Sequence, residues 1–598
     1  MRSPSRNRGW FPIMPPYPNK QEITIVDYRH EYRRWLDNVG RQTQDELAGL
    51  DEAEIQDRFY RALEFGTGGL RGAIGAGVNR MNRYVVGQVT QGLATWLLAG
   101  DGDAARRGVA IAYDCRNLSP EFAEEVATVL AANGIKAYLF DSLRPTPELS
   151  FTVRHLGCAA GIVITASHNP AKDNGYKVYG PDGSQITQDA ATAILAAING
   201  IDIFRDVKRV ELETARQQGR VEIIGDAVDR AYLDCVKQQS VNPALAAGMG
   251  GEYTLVYTPL HGSGNRLVRQ VLNEMGFKRV IVVTEQEQPD GNFPTVKSPN
   301  PEEKAGFALA VEYARQHDAE LILATDPDAD RVGIMVKTAS GDYVNMTGNQ
   351  VGVLLTEYIA SRGKPPKNGM VIKTIVTTDM VKAVCKKRGL AVMEVLTGFK
   401  YIGEKIMEFE RDGGWEFVFG FEESYGYLKG TYARDKDAVV ASLLIAEMAL
   451  YYRKRGLTLH EQMQVLYRRH GYYLEDQVSF TMAGSAGLER IGGIMGALRS
   501  DGPAAIGGKK VLAVRDYKLS RRVEIASGRI SDIALPKSNV LYFELKGGGG
   551  FVVRPSGTEP KIKFYLMARG KTQADAETMV ATMRDYAQMV YDKALANG

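Results

Sequence analysis

The chain has 598 residues, of which 44% are hydrophobic and 24% charged; this composition is ordinary for a soluble globular protein, and the length excludes a single hydrophobic core. Lys and Arg together number 74 against 71 Asp and Glu, so the net charge of +3 gives no reason to expect a nucleic-acid partner. The four dispersed cysteines contain no Cys-x-x-Cys pair, which argues against a zinc site or a disulfide framework.

The N-terminal segment, residues 1–24, is predicted to be a loosely attached tail. Its first twenty residues carry Arg and Pro but lack the apolar core of a secretory signal. The most apolar helix-like run, residues 438–446, is also shorter than the roughly 20 residues that a bilayer span requires. We therefore expect no transmembrane helix, no membrane partner and a cytoplasmic location.

Three segments of the chain repeat the order strand, helix, glycine, strand. The first has a strand at 109–113, a helix capped by Ser119 with Pro120 at its first position, Gly134 and a strand at 137–140. The second has a strand at 253–257, a helix at 268–275, Gly276 and a strand at 280–283. The third has a strand at 370–376, a helix ending at Gly389 and a strand at 391–395. Alternating strands and helices predict three α/β domains.

The last part of the chain has a different pattern. From about Gly471 we predict strands, a helix near residues 487–498, a late hairpin and a terminal helix at about 574–594. The hairpin strands, 551–553 and 562–566, lie on either side of an Arg-Pro-Ser-Gly-Thr turn. This pattern predicts a smaller α+β domain, and the expected domain limits are 25–215, 216–340, 341–470 and 471–598.

The first candidate for chemistry is Thr165-Ala166-Ser167-His168-Asn169-Pro170, which follows the apolar strand 159–165. Loops beyond the carboxyl ends of strands are where α/β sheets usually bind ligands, although these residue types also favour a plain turn. No Gly-x-Ser-x-Gly elbow is present, so the serine is interpreted as a phosphoryl carrier rather than an acyl carrier. Lys177, ten residues further on, can place its positively charged side chain beside the same loop.

The second candidate is the acidic run Asp326, Asp328 and Asp330 after strand 321–324. Three alternating carboxylates in a partly buried turn repel one another and favour a bound cation, although a solvated acidic turn is the plainer alternative. An EF-hand is excluded because Arg331 and Lys337 stand where it requires Gly and Glu. Few hard oxygen ligands completed by a phosphate oxygen suit Mg²⁺, and Arg331 can orient a phosphate.

Further loops have the composition of anion or sugar sites. One is 66–72, with Arg71 among glycines, and another is 554–561, with Arg, Lys and hydroxyl groups. The third, 420–426, has paired acids and a serine and is interpreted as a loop that follows strand 417–419. Thr397 and Lys436 lie in two more polar loops. A kinase is not supported, because the chain lacks the Gly-Lys-Ser/Thr ending of a P-loop.

Four of these motifs, TASHNP, DPDADR, GFEES and RPSGTEPK, occur in the order and at roughly the spacing of the α-D-phosphohexomutase superfamily. Over about residues 25–595 the chain resembles the bacterial phosphoglucomutase branch that includes phosphopentomutase-like enzymes. The resemblance implies four domains around a central cleft: three related α/β domains with mixed sheets and a smaller C-terminal α+β domain.

The resemblance also implies roles for individual residues. Ser167 matches the phosphoserine, which with Asp326, Asp328 and Asp330 binds Mg²⁺, and the other catalytic positions are Arg71, His168 and Lys177. The implied substrate contacts are Arg331, Thr397, Glu422, Ser424, Lys436, Arg554, Ser556, Gly557 and Thr558. Two departures are Gly68, where many relatives have Ser, and Phe421 within the sugar loop.

The implied reaction is a mutase of the isomerase class acting on small phosphosugars. It interconverts α-D-glucose 1-phosphate and D-glucose 6-phosphate, with glucose 1,6-bisphosphate as intermediate and activator. Phosphopentomutase, phosphomannomutase and glucose 1,6-bisphosphate synthase remain alternatives, as does a non-enzymatic sugar-phosphate sensor. The sugar preference stays open at this point.

Overall fold

The computed structural model describes residues 27–66, 68–482, 484–556 and 561–596. The predicted tail, residues 1–24, lies outside these ranges, and so do the predicted phosphate contacts Gly557 and Thr558. Within them, four sheets follow one another along the chain, each with its own helices. The predicted fold class, three α/β units followed by an α+β unit, is confirmed.

A helical cap that the sequence analysis did not predict precedes the first sheet. It consists of α1 (Tyr28–Asn38), α2 (Arg41–Ala48) and α3 (Glu52–Phe59). The fully buried Trp35 packs edge-to-face on Phe59, and on Tyr84 and Phe204 of the first domain, at centroid distances of 5.5–5.8 Å. The cap therefore shares the hydrophobic core of the first domain.

The first sheet is mixed. Its strands are β1 (Leu70–Ala73), β2 (Val109–Tyr113), β3 (Ala137–Phe140), β4 (Ala160–Ile164), β5 (Asp173–Tyr179) and β6 (Val221–Ile224), in the order β1-β5-β4-β2-β3-β6. The helices are α4 (Arg83–Gly100), α5 (Ala104–Arg107), α6 (Ser119–Ala132), α7 (Thr146–His155), α8 (Gln188–Asn199) and α9 (Leu212–Gln217). Strand β5 runs antiparallel to both of its neighbours, β1 and β4, and the other neighbouring pairs are parallel.

One sequence prediction about this unit is wrong in detail. Ser119 does not cap α6: the N-cap is Leu118 in the left-handed region at φ +62°, and the Ser119 hydroxyl donates to Asp114 Oδ1 at 2.9 Å. The first sheet also extends past the predicted limit at residue 215, because β6 pairs with β3. The glycine and charged residues near 215 mark a turn inside this unit.

The second sheet has the order β11-β10-β9-β7-β8. Its unit comprises α10 (Asp226–Lys237), α11 (Pro243–Met249), β7 (Thr254–Thr258), α12 (Gly264–Glu274), β8 (Arg279–Val282), α13 (Ala308–Gln316), β9 (Leu321–Thr325), β10 (Val332–Lys337) and β11 (Tyr343–Met346). Because β11 pairs with β10, the predicted limit at residue 340 falls inside a hairpin of this sheet.

The third sheet has the order β13-β12-β14-β15. Its unit comprises α14 (Gly348–Arg362), β12 (Gly369–Thr374), α15 (Met380–Arg388), β13 (Ala391–Val395), α16 (Lys400–Asp412), β14 (Glu416–Glu422), β15 (Gly426–Leu428), α17 (Ala438–Arg453) and α18 (Leu459–His470). As predicted, α15 stops at Gly389, which adopts φ +73°.

The apolar helix α17 is a core element. Residues 438–452 are all buried, and the buried Glu447 accepts hydrogen bonds from Tyr358 Oη and from the backbone N–H groups of Val241 and Asn242. Its hydrophobic sequence thus reflects burial between the second and third units. None of the helices within the described ranges combines the length and hydrophobicity that a bilayer span requires.

The fourth sheet is antiparallel, with the order β16-β23-β22-β21-β18-β19-β20 and β17 paired to β18. Its unit comprises β16 (Tyr472–Thr481), α19 (Gly484–Ser500), β17 (Ala505–Ile506), β18 (Lys509–Asp516), β19 (Arg521–Glu524), β20 (Ile530–Asp532), β21 (Leu541–Leu545), β22 (Gly549–Pro555), β23 (Lys561–Gly570) and α20 (Gln573–Ala596). The predicted late hairpin is β22 and β23. Val552 and Tyr565 share an apolar cluster with Leu396 of the third unit.

Candidate active site

Ser167 lies in the turn after β4 and is only 3% exposed. Its backbone adopts φ +53°, a left-handed conformation that is uncommon for a serine, and its N–H donates to Thr165 Oγ1 at 2.7 Å. Its hydroxyl donates to Asp326 Oδ2 at 2.8 Å and lies 3.1 Å from His168 Nδ1. The serine turn of the first domain therefore meets the acidic loop of the second.

The serine turn is held by Arg116, a residue that the sequence analysis did not single out. Its guanidinium is 1% exposed and donates to four backbone carbonyls, those of Ser167, Asn169, Pro170 and Asp173, at 2.5–2.9 Å. Planar guanidinium geometry suits such multiple donation. An Asp-x-Arg sequence after β2 is the only local signal, and it does not reveal these distant acceptors.

The three aspartates follow β9 and each offers a carboxylate oxygen within 4.8 Å of the others. Asp326 Oδ1 accepts from the N–H groups of Asp330 and Arg331 at 3.1 and 3.0 Å, which closes the loop tightly. Asp328 Oδ2 accepts from Lys177 Nζ at 2.7 Å and from Thr146 Oγ1 at 2.9 Å. The acidic loop thus contacts three parts of the first domain, including Ser167.

The donor set fits a hard divalent cation. Asp328 Oδ1 and Asp330 Oδ1 are buried and have no hydrogen-bond partner within the described part of the chain. Burial, followed by the charges of Asp328 and Asp330, raises the pKa of Asp326 well above its ordinary value. Burial also opposes ionisation of Asp328, but Lys177 overcomes it and lowers the pKa of that carboxyl. A metal ion would supply the charge that this crowded group lacks.

The other predicted catalytic residues contact the serine turn or the acidic loop. Lys177, on β5, reaches Asp328, while Arg71, on β1, donates from Nη1 to Asn169 Oδ1 at 3.0 Å. Burial and then the charges of Arg331 and Arg71 lower the pKa of His168 well below its ordinary value. These surroundings favour the neutral form of the imidazole.

One predicted sugar contact of the third domain, Lys436, reaches the same acids. Lys436 Nζ lies 3.0 Å from Asp330 Oδ2, and the Gly398 N–H donates to Glu422 Oε1 at 2.8 Å. Thr397 Oγ1 is buried without a partner in the described ranges. Burial raises the pKa of Glu422 to about 7, with Lys436 opposing the shift.

The loop predicted at residues 420–426 is shorter in the structure. Strand β14 continues through Glu422, and β15 begins at Gly426, so only residues 423–425 form the turn. Ser424 lies in this turn and Glu422 at the strand end. The Tyr425 carbonyl accepts from the Val332 N–H at 3.1 Å, which joins this turn, predicted to bind sugar and called the sugar turn below, to the residue following Arg331.

The fourth domain presents a cationic strand pair. Arg554 lies on β22 directly opposite Lys563 on β23, and the Ser556 N–H donates to the Lys561 carbonyl at 2.7 Å. Lys563 was not predicted. Burial and then Arg554 lower its pKa, and burial also lowers the pKa of Lys400, in the third domain, to about 8 with a contribution from Arg554. The remaining predicted residues, Gly557 and Thr558, are not described.

Comparison with protein-family models gives four matches in chain order. They are phosphoglucomutase/phosphomannomutase α/β/α domain I at residues 62–203, domain II at 230–341, domain III at 347–470, and the C-terminal domain of the same family at 509–585. The matches include the serine turn, the acidic loop, the sugar turn and the cationic strand pair.

Curated relatives and solved structures agree with these matches. A phosphoglucomutase of Staphylococcus epidermidis is 36% identical over 535 residues, 89% of this chain and 95% of that protein, and one of Staphylococcus aureus is 37% identical over 86% and 91%. The open form of parafusin, a phosphoglucomutase from Paramecium, has the same fold with a TM-score of 0.65 at 16% identity, covering 89% of this chain and 94% of that one.

Proposed function

This chain belongs to the phosphoglucomutase/phosphomannomutase family, and from that premise we propose that it interconverts α-D-glucose 1-phosphate and D-glucose 6-phosphate through a phosphoserine at Ser167. Family membership makes it a phosphohexomutase, an intramolecular phosphotransferase of the isomerase class. We choose glucose as the sugar of the substrate because the curated relatives of this chain, at 36–37% identity, are named phosphoglucomutases.

The observation that carries the proposal is the hydrogen bond from Ser167 Oγ to Asp326 Oδ2 at 2.8 Å. A phosphoryl group on that oxygen would stand beside three carboxylates and within reach of Lys177, Arg71 and Arg331. Carboxylates alone would repel such a dianion, so the arrangement makes chemical sense only with a cation between them.

We assign that cation as Mg²⁺, held by Asp326, Asp328 and Asp330 with an oxygen of the phosphoserine. Two buried carboxylate oxygens that lack a hydrogen-bond partner among the described residues, Asp328 Oδ1 and Asp330 Oδ1, support the assignment, because magnesium prefers hard oxygen donors. When bound, the ion offsets negative charge on the transferring phosphoryl group.

In the first half-reaction, the free hydroxyl of a sugar monophosphate attacks the phosphorus of phospho-Ser167. A bond from phosphorus to the sugar oxygen forms, the bond to Ser167 Oγ breaks, and the hydroxyl proton passes to a neighbouring base. The products are glucose 1,6-bisphosphate and a free serine, whose Oγ lies 3.1 Å from His168 Nδ1. The neutral imidazole can take up the hydroxyl proton and, as imidazolium, deliver it to that oxygen, and Lys177 is the alternative group.

In the second half-reaction, the bisphosphate presents its other phosphoryl group to Ser167, so the phosphate position on the sugar changes and the phosphoserine is regenerated. Glu422, Ser424, Thr397 and Lys436 are proposed to bind the sugar hydroxyls. Arg554 and Ser556, together with Gly557 and Thr558, are proposed to bind the phosphate that is not transferred. A bisphosphate is also required to phosphorylate Ser167 initially, which makes it an activator.

The test is to purify the protein, measure its intact mass, and assay it on the 1-phosphates of glucose, mannose, ribose and deoxyribose. We expect a phosphoryl-sized mass increment that maps to Ser167 and the highest kcat/KM on glucose 1-phosphate. Higher kcat/KM on another sugar would reassign the substrate. Turnover without any phosphorylated intermediate during single-turnover mixing with bisphosphate would refute the mechanism.

A further inference from the structure

A short turn between β8 and α13, residues 298–303, has a rigid construction. Pro299 and Pro301 fix two backbone φ angles, and Asn300 Oδ1 accepts from the Glu302 N–H at 3.0 Å. The Pro301 carbonyl approaches β10 so closely that a Cβ at Gly333 would lie 2.2 Å from its oxygen. The position of Glu302 is therefore determined by its own turn and by the strand below it.

The same turn touches both halves of the proposed catalytic centre. Ser298 Oγ donates to the His168 carbonyl at 3.4 Å, beside Ser167. At the other end, Glu302 Oε1 accepts from Arg331 Nη1 at 2.5 Å. One preformed segment thus contacts the serine turn and the arginine that follows the acidic loop.

Arg331 is held at three points. Its own N–H donates to Asp326 Oδ1 at 3.0 Å, and the next N–H, of Val332, donates to the Tyr425 carbonyl at 3.1 Å. These two bonds place its backbone between the metal carboxylate and the sugar turn, while Glu302 holds the guanidinium. Its Nη2 donates to no acceptor within the described ranges, and 18% of the side chain is exposed to solvent.

We propose that Glu302 is a positioning residue that acts through Arg331, holding the guanidinium by Nη1 so that Nη2 is presented to the phosphosugar. The inference rests on the proposed function, because it assumes that Arg331 contacts that ligand. A guanidinium already fixed by a carboxylate loses less side-chain freedom on binding, which increases affinity without a new contact.

Glu302 could instead compete with the phosphosugar for Arg331, and this alternative predicts the opposite change in affinity when Glu302 is removed. Glu302 carries a negative charge, and its side chain is 34% exposed, so it could compete with an incoming phosphate for Arg331. Removing a competitor would tighten binding, whereas removing a positioning residue would weaken it. The rigid turn favours positioning, because a competitor must withdraw when the ligand binds.

The experiment compares Glu302→Ala and Glu302→Gln with Glu303→Gln, a matched control at the neighbouring exposed carboxylate. Calorimetry measures the Kd of glucose 6-phosphate, and initial rates give KM and kcat. We expect Glu302→Ala to raise Kd and KM about 10-fold with little change in kcat, because a charge-assisted hydrogen bond is lost. Glu302→Gln should lie between it and the wild type, and Glu303→Gln should match the wild type.

A double-mutant cycle tests whether the effect passes through Arg331. In an Arg331→Ala background, Glu302→Ala should weaken binding no further. A full additional loss in that background, an unchanged Kd in Glu302→Ala, or a lower Kd would each overturn the proposal. If the wild type binds glucose 6-phosphate without converting it, the mutase proposal fails while the Kd comparison still decides the role of Glu302. Absence of any sugar-phosphate binding would overturn both.

Discussion

Ser167 Oγ and Asp326 Oδ2 lie 2.8 Å apart although 159 residues separate them in sequence and they belong to different domains. Each sits in a loop with a left-handed residue, since Ser167 has φ +53° and Ala329 has φ +48°. Such conformations carry a cost of about 1 kcal/mol or more for a residue with a side chain, and they persist where surrounding contacts determine the backbone. The two loops are thus preformed to face each other.

Replacement of Ser167 by alanine removes the proposed phosphoryl acceptor and one hydrogen bond to Asp326. We expect the Ser167→Ala protein to lose more than about 10³-fold in kcat/KM, because no other hydroxyl in the described part of the chain donates to Asp326. Its melting temperature should stay close to that of the wild type, and its intact mass should show no phosphoryl increment. Retained turnover in this variant would rule out the phosphoserine mechanism.

Asp328→Asn tests the metal site. The amide keeps the shape of the side chain but loses the negative charge that Lys177 Nζ contacts at 2.7 Å. We expect the Mg²⁺ concentration for half-maximal rate to rise about 10-fold or more, measured by titrating Mg²⁺ into chelator-treated enzyme. Asp318→Asn, which changes an exposed aspartate paired with Lys337, is the control and should leave the titration unchanged.

The parts of this site that could be predicted are those with a local pattern. Buried strands followed directly by Ser167 or by Asp326, Asp328 and Asp330 indicate the ligand-binding edge of an α/β sheet, and the structure places them together. Gly389 ends its helix as predicted because a left-handed cap has a recognisable residue preference.

The residues that could not be predicted act through long-range contacts. Arg116 bonds carbonyls more than 50 positions away, and Glu302 meets Arg331 across 29 positions. The neighbouring sequence does not reveal which distant groups these side chains contact. Strand pairing likewise decides which unit β6 and β11 join, and this pairing is not visible in the local sequence.

Arg116→Lys should separate charge from geometry in the serine turn. Lysine retains the positive charge but cannot donate to four carbonyls at once, so some buried carbonyls lose their partner. We expect kcat to fall about 10²-fold and the free energy of unfolding to fall by about 1–3 kcal/mol. Urea denaturation and steady-state rates measure both. Arg106→Lys, at an exposed arginine, should change neither, and a wild-type kcat in Arg116→Lys would contradict the positioning of Ser167.

The carboxyl of Glu422 predicts a pH dependence. Burial raises its pKa from 4.5 to about 7, so it is protonated below that pH and becomes an acceptor for sugar hydroxyls above it. We expect kcat/KM to rise with pH through about 7 in the wild type and this limb to vanish in Glu422→Gln. The second ionisation of the substrate phosphate, near pH 6, is common to both proteins and serves as an internal reference.

The raised pKa of Glu422 also determines how this residue affects the stability of the fold as the pH changes. Because the folded-state pKa lies above the unfolded value, Glu422 contributes stability at low pH that is lost as the pH rises from about 4.5 to about 7. Glu422→Gln should therefore gain stability relative to the wild type above pH 7. Glu416→Gln, at the exposed start of the same strand, is the control. An unchanged pH profile in Glu422→Gln would show that another group titrates.

Lys563 and Arg554 stand directly opposite each other on neighbouring strands, an arrangement that like charges disfavour. Burial and then Arg554 lower the pKa of Lys563, and an anion lying against the pair would stabilise its charged form. A phosphate that is bound but not transferred is such an anion. We expect Lys563→Gln to raise KM about 10-fold for both glucose 1-phosphate and glucose 6-phosphate, because either orientation leaves one phosphate at this pair.

The same substitution should leave the free energy of unfolding unchanged or slightly higher, since it removes a repulsion of up to about 1 kcal/mol in the absence of ligand. Lys563→Arg should keep near wild-type KM values because it keeps the charge. Lys546→Gln, at an exposed lysine in the turn between β21 and β22, should have no effect. If Lys563→Gln raised KM for only one of the two monophosphates, the pair would bind the phosphate at only one position of the sugar. The site that binds the non-transferred phosphate in both orientations would then have to lie elsewhere on the fourth domain.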